Sequence, residues 1–289
     1  MRILSIQSSV AHGHVGNSAA VFPLQRIGHE VLPVFTVQFS NHTGYGAWRG
    51  PVLAPADVRE VILGIEERGV LGDVDLVLSG YLGSPGIAEV VVDAVDRVKR
   101  ANPAAAYACD PVMGDAGSGC FVDPAIPAVL RDQVVPRADV ITPNQFELGL
   151  LTGAFDTTPG AAPPSRGTVI AAAHAARATG PATVLVTSVE DGGTPGTTGM
   201  IAVAPEGTWE IRTPRLPIDA NGSGDVTAAL FAAHLGTTRS VAEALAATAS
   251  SVFDLLDRTV AAGSAELLLV EAQDAYVAPR TRFEVERVV

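Results

Sequence analysis

The stretch DANGSGDVTAAL, residues 219–230, places two glycines in a turn directly before apolar residues at helical spacing. Gly222 and Gly224 allow backbone N–H groups to converge on an anion, and the helix adds its own free N–H groups and the positive end of its dipole. Asp225 would lie beside that anion, where a carboxylate can accept a proton from an attacking hydroxyl group. Acidic residues are also common in any first helical turn, so the adjacent glycines are what favour a catalytic role.

Short apolar runs alternate with longer helical patterns through the rest of the chain. We expect strands at residues 3–6, 31–35, 75–79, 105–109, 139–142 and 183–187, and a hairpin over 200–212. We expect helices at 17–27, 57–68, 87–100, 145–151 and 169–179, then alanine-rich helices at 225–235, 241–256 and 264–275. This alternation predicts an α/β fold with a mostly parallel central sheet and helices on both faces. In such folds ligands bind beyond the carboxyl ends of the strands.

The charged residues exclude several kinds of chemistry. The chain has 19 basic and 31 acidic side chains, a formal net charge of −12, and Lys99 is its only lysine. A P-loop is excluded because no Gly-Lys pair exists, and Lys99 lies in a charged helical segment that does not suit a Schiff base. Phosphate chemistry must therefore rely on backbone N–H groups, arginine or a metal ion. The acidic balance argues against nucleic acid and anionic membranes as partners.

Composition and cysteine content narrow the class of protein further. Apolar residues make up 47% of the chain and charged residues 17%, which excludes a disordered chain and a coiled coil. No apolar run reaches about 18 residues, so no membrane span is expected. Cys109 and Cys120 give no disulfide framework, which favours a reducing, cytoplasmic setting.

Two further segments carry carboxylates at expected strand ends. Asp110 follows the strand at 105–109, and Asp115 follows a glycine five residues later. Two acidic groups near a phosphate site suit Mg²⁺, although Asp-Pro is also a common start of a turn. Glu147 lies in the first turn of the helix that follows Pro143-Asn144, either as a partner of the helix dipole or in the Mg²⁺ or phosphate shell.

Polar and aromatic residues in the N-terminal half suit a small planar substrate. Residues 7–9, 13–17 and 37–45 follow two neighbouring strands and could hydrogen-bond to and stack on such a molecule. The six histidines show no metal-ligand spacing, and His12 and His14 more often mark a turn. A Ser-His-Asp triad is not supported, because no G-x-S-x-G elbow occurs.

These motifs together resemble the pyridoxal kinases of the ribokinase-like superfamily over nearly the whole chain. The Gly-x-Gly-Asp turn at 222–225 is typical of the superfamily, whereas QFSNHTGY at 38–45 and CDPVMG at 109–114 are typical of pyridoxal kinases. The resemblance implies a single domain over 1–289, a three-layer α/β/α sandwich around a mostly parallel sheet. It implies transfer of the ATP γ-phosphoryl group to the 5′-hydroxymethyl group of pyridoxal, and also of pyridoxine or pyridoxamine. It further implies a homodimer.

The resemblance also implies roles for individual residues. Asp225 would be the general base, with Gly222, Ser223 and Gly224 as the anion hole. The residues on the pyridoxal side would be Ser8, Thr43, Tyr81 and Asp225. Those bordering ATP would be Asp110, Glu147, Thr187, Ser188, Leu216, Pro217, Ile218 and Ser223. Those on the Mg²⁺ side would be Asp110, Asp115, Thr142, Glu147 and Thr187.

Several positions depart from the family pattern. Some bacterial members have lysine where this chain has Thr187-Ser188, and members of the Thr-Ser type commonly use a monovalent cation, so K⁺ dependence is expected. Ser223 stands where relatives have threonine or valine. The segments Gly153–Gly167 and Asp191–Gly199 fit the family poorly. Cys120 lies in the glycine-rich flap 115–120, where a thiol could add reversibly to an aldehyde; an inert loop cysteine is the alternative.

Other functions remain open at this point. A hydroxymethylpyrimidine kinase would share the Gly-x-Gly-Asp turn and a similar planar substrate, although residues 37–45 favour pyridoxal. A sugar kinase is disfavoured by the polar residues at the first strand. A protein that only binds or stores B6 vitamers would need neither Asp225 nor an anion hole.

Overall fold

A computed structural model describes residues 1–158, 160–190 and 195–288. Its strands are β1 (Arg2–His12), β2 (Glu30–Asn41), β3 (Leu76–Ser79), β4 (Ala106–Cys109), β5 (Gly114–Asp115), β6 (Gly119–Cys120), β7 (Val140–Ile141), β8 (Thr183–Val189), β9 (Thr197–Ala204), β10 (Gly207–Pro214) and β11 (Glu286–Val288). Its α-helices are α1 (Asn17–Arg26), α2 (Pro55–Glu67), α3 (Pro85–Ala101), α4 (Ile126–Val129), α5 (Gln145–Thr152), α6 (Arg166–Arg177), α7 (Ser223–Thr238) and α8 (Val241–Ala261). Short 3-10 turns occur at Thr43–Tyr45, Val70–Asp73, Val135–Arg137 and Gln273–Tyr276.

One nine-stranded sheet runs through the described chain in the order β11-β10-β9-β8-β7-β4-β3-β1-β2. The pairings from β2 across to β8 are parallel, and those among β8, β9, β10 and β11 are antiparallel. β5 and β6 form a separate small hairpin. The parallel strands therefore bring the loops after β1, β3, β4, β7 and β8 to the same edge of the sheet.

Side chains of the strands alternate between two apolar layers. Leu4 and Ile6 of β1 pack with helices α2, α3 and α6, whereas Ile3 packs with α1, α7 and α8. In β4, Tyr107 packs in the first of these layers and its neighbour Ala108 packs in the second. This alternation is the two-residue period of a strand that is buried on both faces. The expected three-layer α/β/α sandwich with a mostly parallel sheet is confirmed.

The first two strands are longer than the sequence pattern predicts. β1 continues to His12 through an irregularity between Gln7 and Ser9, and β2 continues to Asn41. The polar residues at 38–41 are therefore part of a strand rather than a loop. Residues 49–53 run along the outer edge of β2, where Gln38 N–H donates to the carbonyl of Pro51. This extra pairing along the edge stabilises residues 38–41 as a strand, although they are too polar to be identified as one from the sequence.

The helix expected at 264–275 is wrong. α8 ends at Ala261, Gly263 follows with a φ of 63°, and the chain then forms an irregular segment with a 3-10 turn near its end. The Ser264 hydroxyl donates to the carbonyl of Glu266 and accepts from its N–H, a local pattern that competes with helix formation. Leu267 and Leu269 are buried on alternate positions against α8, which a helix would not permit.

None of the helices in the described ranges is both long and apolar enough to cross a bilayer.

We predict that Phe231→Ala lowers the free energy of unfolding by about 3–5 kcal/mol, because truncating a buried aromatic ring leaves a cavity. Phe231 is 0% exposed between α7 and the sheet. Phe121→Ala is the matched control, since Phe121 is 49% exposed and its loss should cost no more than about 0.5 kcal/mol. Guanidinium unfolding measures both. Equal effects of the two substitutions would contradict the packing described for α7.

Candidate active site

The turn before α7 packs against the loop that follows β1. Gly222 has a φ of 84°, and a Cβ there would lie 1.7 Å from the carbonyl oxygen of His14. Only glycine fits this contact. Gly16 is equally constrained, because its φ is 53° and a Cβ would lie 2.2 Å from Ser8 Oγ. A Cβ on Gly224 would instead meet open space, so the structure leaves room beside Gly224 for a ligand.

The N–H groups of this turn are partly used within the protein. Ser223 N–H donates to the carbonyl of Ala220 at 3.3 Å. Asp225 N–H and Gly16 N–H both donate to the Asp225 carboxylate. The predicted anion hole at Gly222, Ser223 and Gly224 is thus placed at the start of α7, where the helix dipole favours negative charge.

Asp225 has the properties of a proton acceptor. Its side chain is half-buried at the start of α7. Burial raises the pKa of Asp225 to about 6, against the opposing effect of the two N–H donors. A carboxylate with a pKa close to neutrality is ionised at physiological pH and still holds a proton well enough to act as a base.

Asp110 and Glu147 are buried near Asp225. Asp110 is 6% exposed and accepts a hydrogen bond from Thr142 Oγ1 at 2.9 Å. Glu147 is 4% exposed and accepts from the backbone N–H groups of Met113 at 2.9 Å and Asn144 at 2.9 Å. These bonds hold the loop after β4 against the start of α5, which a reciprocal Asn144–Glu147 capping box closes.

The three carboxylates repel one another. Burial raises the pKa of Asp110 well above its ordinary value, and the charges of Glu147 and Asp225 add to that rise. Burial also raises the pKa of Glu147 to about 7, although three backbone N–H donors oppose it. Ionising these carboxyl groups together is therefore costly in the free protein, and a bound cation would lower that cost.

Asp115 lines the cleft described below, next to Gly114, whose N–H donates to Glu147 Oε1. It is exposed in the β5–β6 hairpin, where its Oδ1 accepts from the N–H groups of Gly117 and Ser118 at 2.8 and 2.6 Å. Cys120 is exposed on β6 of the same hairpin, in contrast to the buried Cys109. Its predicted reaction with an aldehyde stays a prediction.

A large open cleft lies beside the turn, with a volume of about 660 Å³. Thr187 and Ser188 line it where β8 is irregular. Ser188 has a φ of 53°, a strained conformation for a residue other than glycine, and such strain is typical of functional sites. Thr187 N–H donates to the carbonyl of Pro143, which joins β8 to the end of β7.

Most of the predicted nucleotide-side residues border this cleft. Leu216, Ile218 and Ser223 line it, whereas Pro217 is exposed and does not. Residues 155–158 and 160–164 also line it, so the segment that fits the family poorly covers this side of the site. The other segment that fits the family poorly, Asp191–Gly199, falls partly outside the described residues, because 191–194 are not described.

Arg215 is a cleft residue that the sequence analysis missed. Among the described residues that line the cleft, it alone has a positively charged side chain. Its Nη1 lies 2.7 Å from Glu190 Oε1 in an ion pair across the cleft. Arg215 could have been identified from the sequence, because it stands next to Leu216 in a chain that has only one lysine.

The predicted pyridoxal-side residues surround a second region, next to Asp225. Ser8 is 5% exposed on β1, beside Gly16. Tyr81 is half-buried after β3 and packs with the apolar residues Val37 and Phe39. Thr43 begins the exposed 3-10 turn after β2. The structure thus brings these side chains to the same edge of the sheet.

Glu266 also belongs to this region and was missed by the sequence analysis. Its Oε1 accepts from Tyr45 OH at 2.6 Å and lies 2.8 Å from His42 Nε2. No local pattern could reveal this contact, because 224 residues separate His42 from Glu266. The helix wrongly expected at 264–275 was a second reason why this contact was missed.

Comparison with known proteins places the chain among kinases. Residues 66–268 match the family model described as phosphomethylpyrimidine kinase. The chain is 65% identical to pyridoxal kinase PdxY of Leifsonia xyli subsp. xyli and 58% identical to that of Corynebacterium diphtheriae, each over 100% of both chains. It is similar to the structure of pyridoxal kinase from Leishmania donovani in complex with ADP and pyridoxamine, at 28% identity and a TM-score of 0.91, covering 100% of this chain and 99% of that one.

We predict that Asp110→Asn stabilises the protein at pH 8 in the absence of divalent cations. The native Asp110 carboxyl binds its proton more tightly than the unfolded chain does, so stability falls as pH rises above the ordinary aspartate pKa. Asparagine removes that charge and can still accept from Thr142. The gain should be at least about 1.4 kcal/mol, the equivalent of one pKa unit.

Thermal unfolding at pH 5 and pH 8 measures this effect, with exposed Asp57→Asn as the control. The Asp110→Asn advantage should shrink at pH 5, where the wild-type carboxyl is protonated. An equal gain at both pH values would show that ionisation of the buried carboxyl is not its cause.

Proposed function

The chain belongs to the pyridoxal kinase family, and from that premise we propose that it transfers the γ-phosphoryl group of ATP to the 5′-hydroxymethyl group of pyridoxal. Pyridoxine and pyridoxamine are further proposed substrates. The observation that carries this proposal is the half-buried Asp225, with its pKa raised to about 6, at the start of α7. Its neighbours Ser223 and Gly224 line the cleft, and its carboxylate accepts from Gly16 N–H, which lies beside Ser8.

The chemistry of the step follows from this placement. The hydroxyl group of the substrate attacks the γ-phosphorus while its proton passes to the Asp225 carboxylate, and the bond to the β-phosphate oxygen breaks. Phosphoryl transfer requires alignment and charge stabilisation more than covalent help. The start of α7 at Gly222–Gly224 would stabilise the negative charge of the transferred group through N–H groups and the helix dipole.

The substrate-side residues would hold the pyridine ring. Ser8 and Thr43 supply hydroxyl groups, and Tyr81 supplies an aromatic face next to an apolar patch. On the other side, the cleft of about 660 Å³ is large enough for a nucleotide. Leu216 and Ile218 would border the nucleotide. Ser188, with its strained backbone conformation, also lines this cleft.

We propose Mg²⁺ as the metal and K⁺ as an additional cation. The carboxyl groups of Asp110 and Glu147 fit Mg²⁺, because they are buried oxygen ligands whose ionised form burial disfavours and a cation would favour. No group of three His, Cys, Asp or Glu side chains able to hold a metal occurs in the part of the chain described, so phosphate oxygens and water would complete the coordination. When bound, Mg²⁺ would neutralise phosphate charge. The remaining candidates for this side are Thr142, Thr187 and Asp115.

We propose that the whole chain forms one catalytic domain that acts as a homodimer in the cytoplasm. The sheet that runs from β2 to β11 supports the single domain. Two free cysteines and a net charge of −12 suit a reducing compartment and argue against nucleic acid as a partner. Size-exclusion chromatography with light scattering tests the dimer.

A hydroxymethylpyrimidine kinase is the second candidate, favoured by the match of residues 66–268 to the phosphomethylpyrimidine kinase family model. A protein that binds B6 vitamers without catalysis is the alternative of another class. An ATP-consumption assay with pyridoxal, pyridoxine, pyridoxamine and hydroxymethylpyrimidine separates all three.

We predict fastest turnover with a B6 vitamer, loss of activity when Mg²⁺ is chelated, and a lower rate when K⁺ is replaced by Na⁺. The physical reason is that a site with almost no lysine cannot neutralise triphosphate charge without cations. Preferred turnover of hydroxymethylpyrimidine would support the second candidate, and no turnover of any compound would support the binding protein.

We predict that Asp225→Ala and Asp225→Asn lower kcat by about 10²–10⁴-fold, because general-base help is typically worth that much. ATP binding, measured by calorimetry, should persist in both variants. Asp219→Asn is the matched control, since Asp219 is an exposed carboxylate that lines the same cleft. A rate near that of the wild type in the Asp225 variants would overturn the assignment of the base.

A further inference from the structure

Glu266 joins two segments that are far apart in the sequence. Its Oε1 accepts from Tyr45 OH at 2.6 Å and lies 2.8 Å from His42 Nε2. Its Oε2 accepts from the backbone N–H of His14 at 3.2 Å. The Glu266 side chain is only 18% exposed, so these bonds are largely shielded from water and correspondingly stronger.

The first segment that Glu266 holds is the turn at 13–16. Its carbonyl at His14 abuts Gly222, and its N–H at Gly16 donates to the Asp225 carboxylate. The position of this turn therefore decides where the proposed base lies. Glu266 bonds to the backbone of the turn itself rather than to a mobile side chain.

The second segment is 42–45, which contains Thr43. The ring centroids of His42 and Tyr45 lie 4.6 Å apart with the planes tilted by 34°, so Glu266 accepts from two rings that also contact each other. A Cβ on Gly44 would lie 3.0 Å from Asn221 Nδ2, which shows that the segment also reaches the turn before α7. This segment thus links Glu266 to the turn before α7, and it carries Thr43, one of the residues assigned to the substrate side.

The three-way junction is tightly packed. A Cβ on Gly13 would lie 2.8 Å from both Glu266 Oε2 and His42 Cδ2. Burial by itself would raise the pKa of Glu266, but the hydrogen bonds from Tyr45 and His42 outweigh it and lower the pKa. Glu266 is therefore an ionised acceptor that serves three donors at once.

We propose that Glu266 is a positioning residue that fixes the segment 42–45 and the turn 13–16 in one arrangement. It acts through His42, Tyr45 and His14 and does not itself carry out chemistry. Its effect is on the substrate side, because none of these groups lines the nucleotide cleft. This inference rests on the proposed function, since it concerns binding of the same B6 vitamer.

The main test is the kinetics of Glu266→Ala. We expect the KM for pyridoxal to rise about tenfold, in keeping with the loss of hydrogen bonds to a charged group. The KM for ATP should stay within about twofold, and kcat should fall less than the KM for pyridoxal rises. Glu266→Gln should recover part of the loss, because its amide oxygen can still accept one of the three bonds.

Two further variants help to interpret the result for Glu266→Ala. Glu271→Ala is the matched control, because Glu271 is an exposed carboxylate five residues further along the same segment; both KM values should remain those of the wild type. Tyr45→Phe removes one of the three donors and should raise the KM for pyridoxal by a smaller factor. It keeps the proposal testable if Glu266→Ala does not fold.

A second readout does not depend on catalysis. Arg49 is exposed four residues after Tyr45, so trypsin cleavage after Arg49 reports how often the neighbouring segment opens. In Glu266→Ala, mass spectrometry should show faster cleavage at this bond than in the wild type, and the rate in Glu271→Ala should be unchanged.

The outcomes separate this inference from the proposed function. A wild-type protein that does not phosphorylate pyridoxal would overturn the proposed function, while the cleavage rates would still test the junction. A folded Glu266→Ala with unchanged KM for pyridoxal would overturn the inference, and so would equal rises in the KM values for pyridoxal and ATP, which would indicate general loosening.

Discussion

The burial of Asp110, Glu147 and Asp225 close to one another is the constraint on which this site depends. Burial of the three carboxylates together raises their pKa values, and hydrogen bonds from Thr142 and from backbone N–H groups only partly offset the cost. A chain that only had to fold would avoid such a cluster. A cation bound beside the cluster would offset this cost, and in the proposed function this cluster is the part of the protein that the reaction uses.

The scaffold holds this cluster in place from several loops at one edge of the sheet. The loop after β4 supplies Asp110, the start of α5 supplies Glu147, and the start of α7 supplies Asp225. Close backbone contacts fix their relative positions, above all the contact between Gly222 and the carbonyl of His14. Because glycine alone fits there, a small side chain would move the base and the anion site together.

Elements with strong local patterns were predictable. β3 and β4 are short, mostly apolar runs, and α3 has apolar residues at regular helical spacing, so burial follows directly from the pattern. The strand at 38–41 was missed because its polar residues are stabilised by edge pairing with residues 49–53. The helix expected at 264–275 was wrong because Ser264 bonds locally and Leu267 and Leu269 are buried by α8. In both cases contacts from outside the segment overrode its own preference.

The sequence by itself determined the α/β fold, the glycine turn before α7, and the candidates Asp110, Glu147 and Asp225. These depend on local spacing and on the order of strands and helices, both of which can be read directly from the sequence. The tertiary structure decided how the carboxylates are placed: Asp115 is exposed in its own hairpin at the cleft, whereas Asp110 is buried near Glu147. It also brought Glu266 to partners that lie more than 200 residues away. Such contacts depend on how distant segments pack, and no local pattern records them.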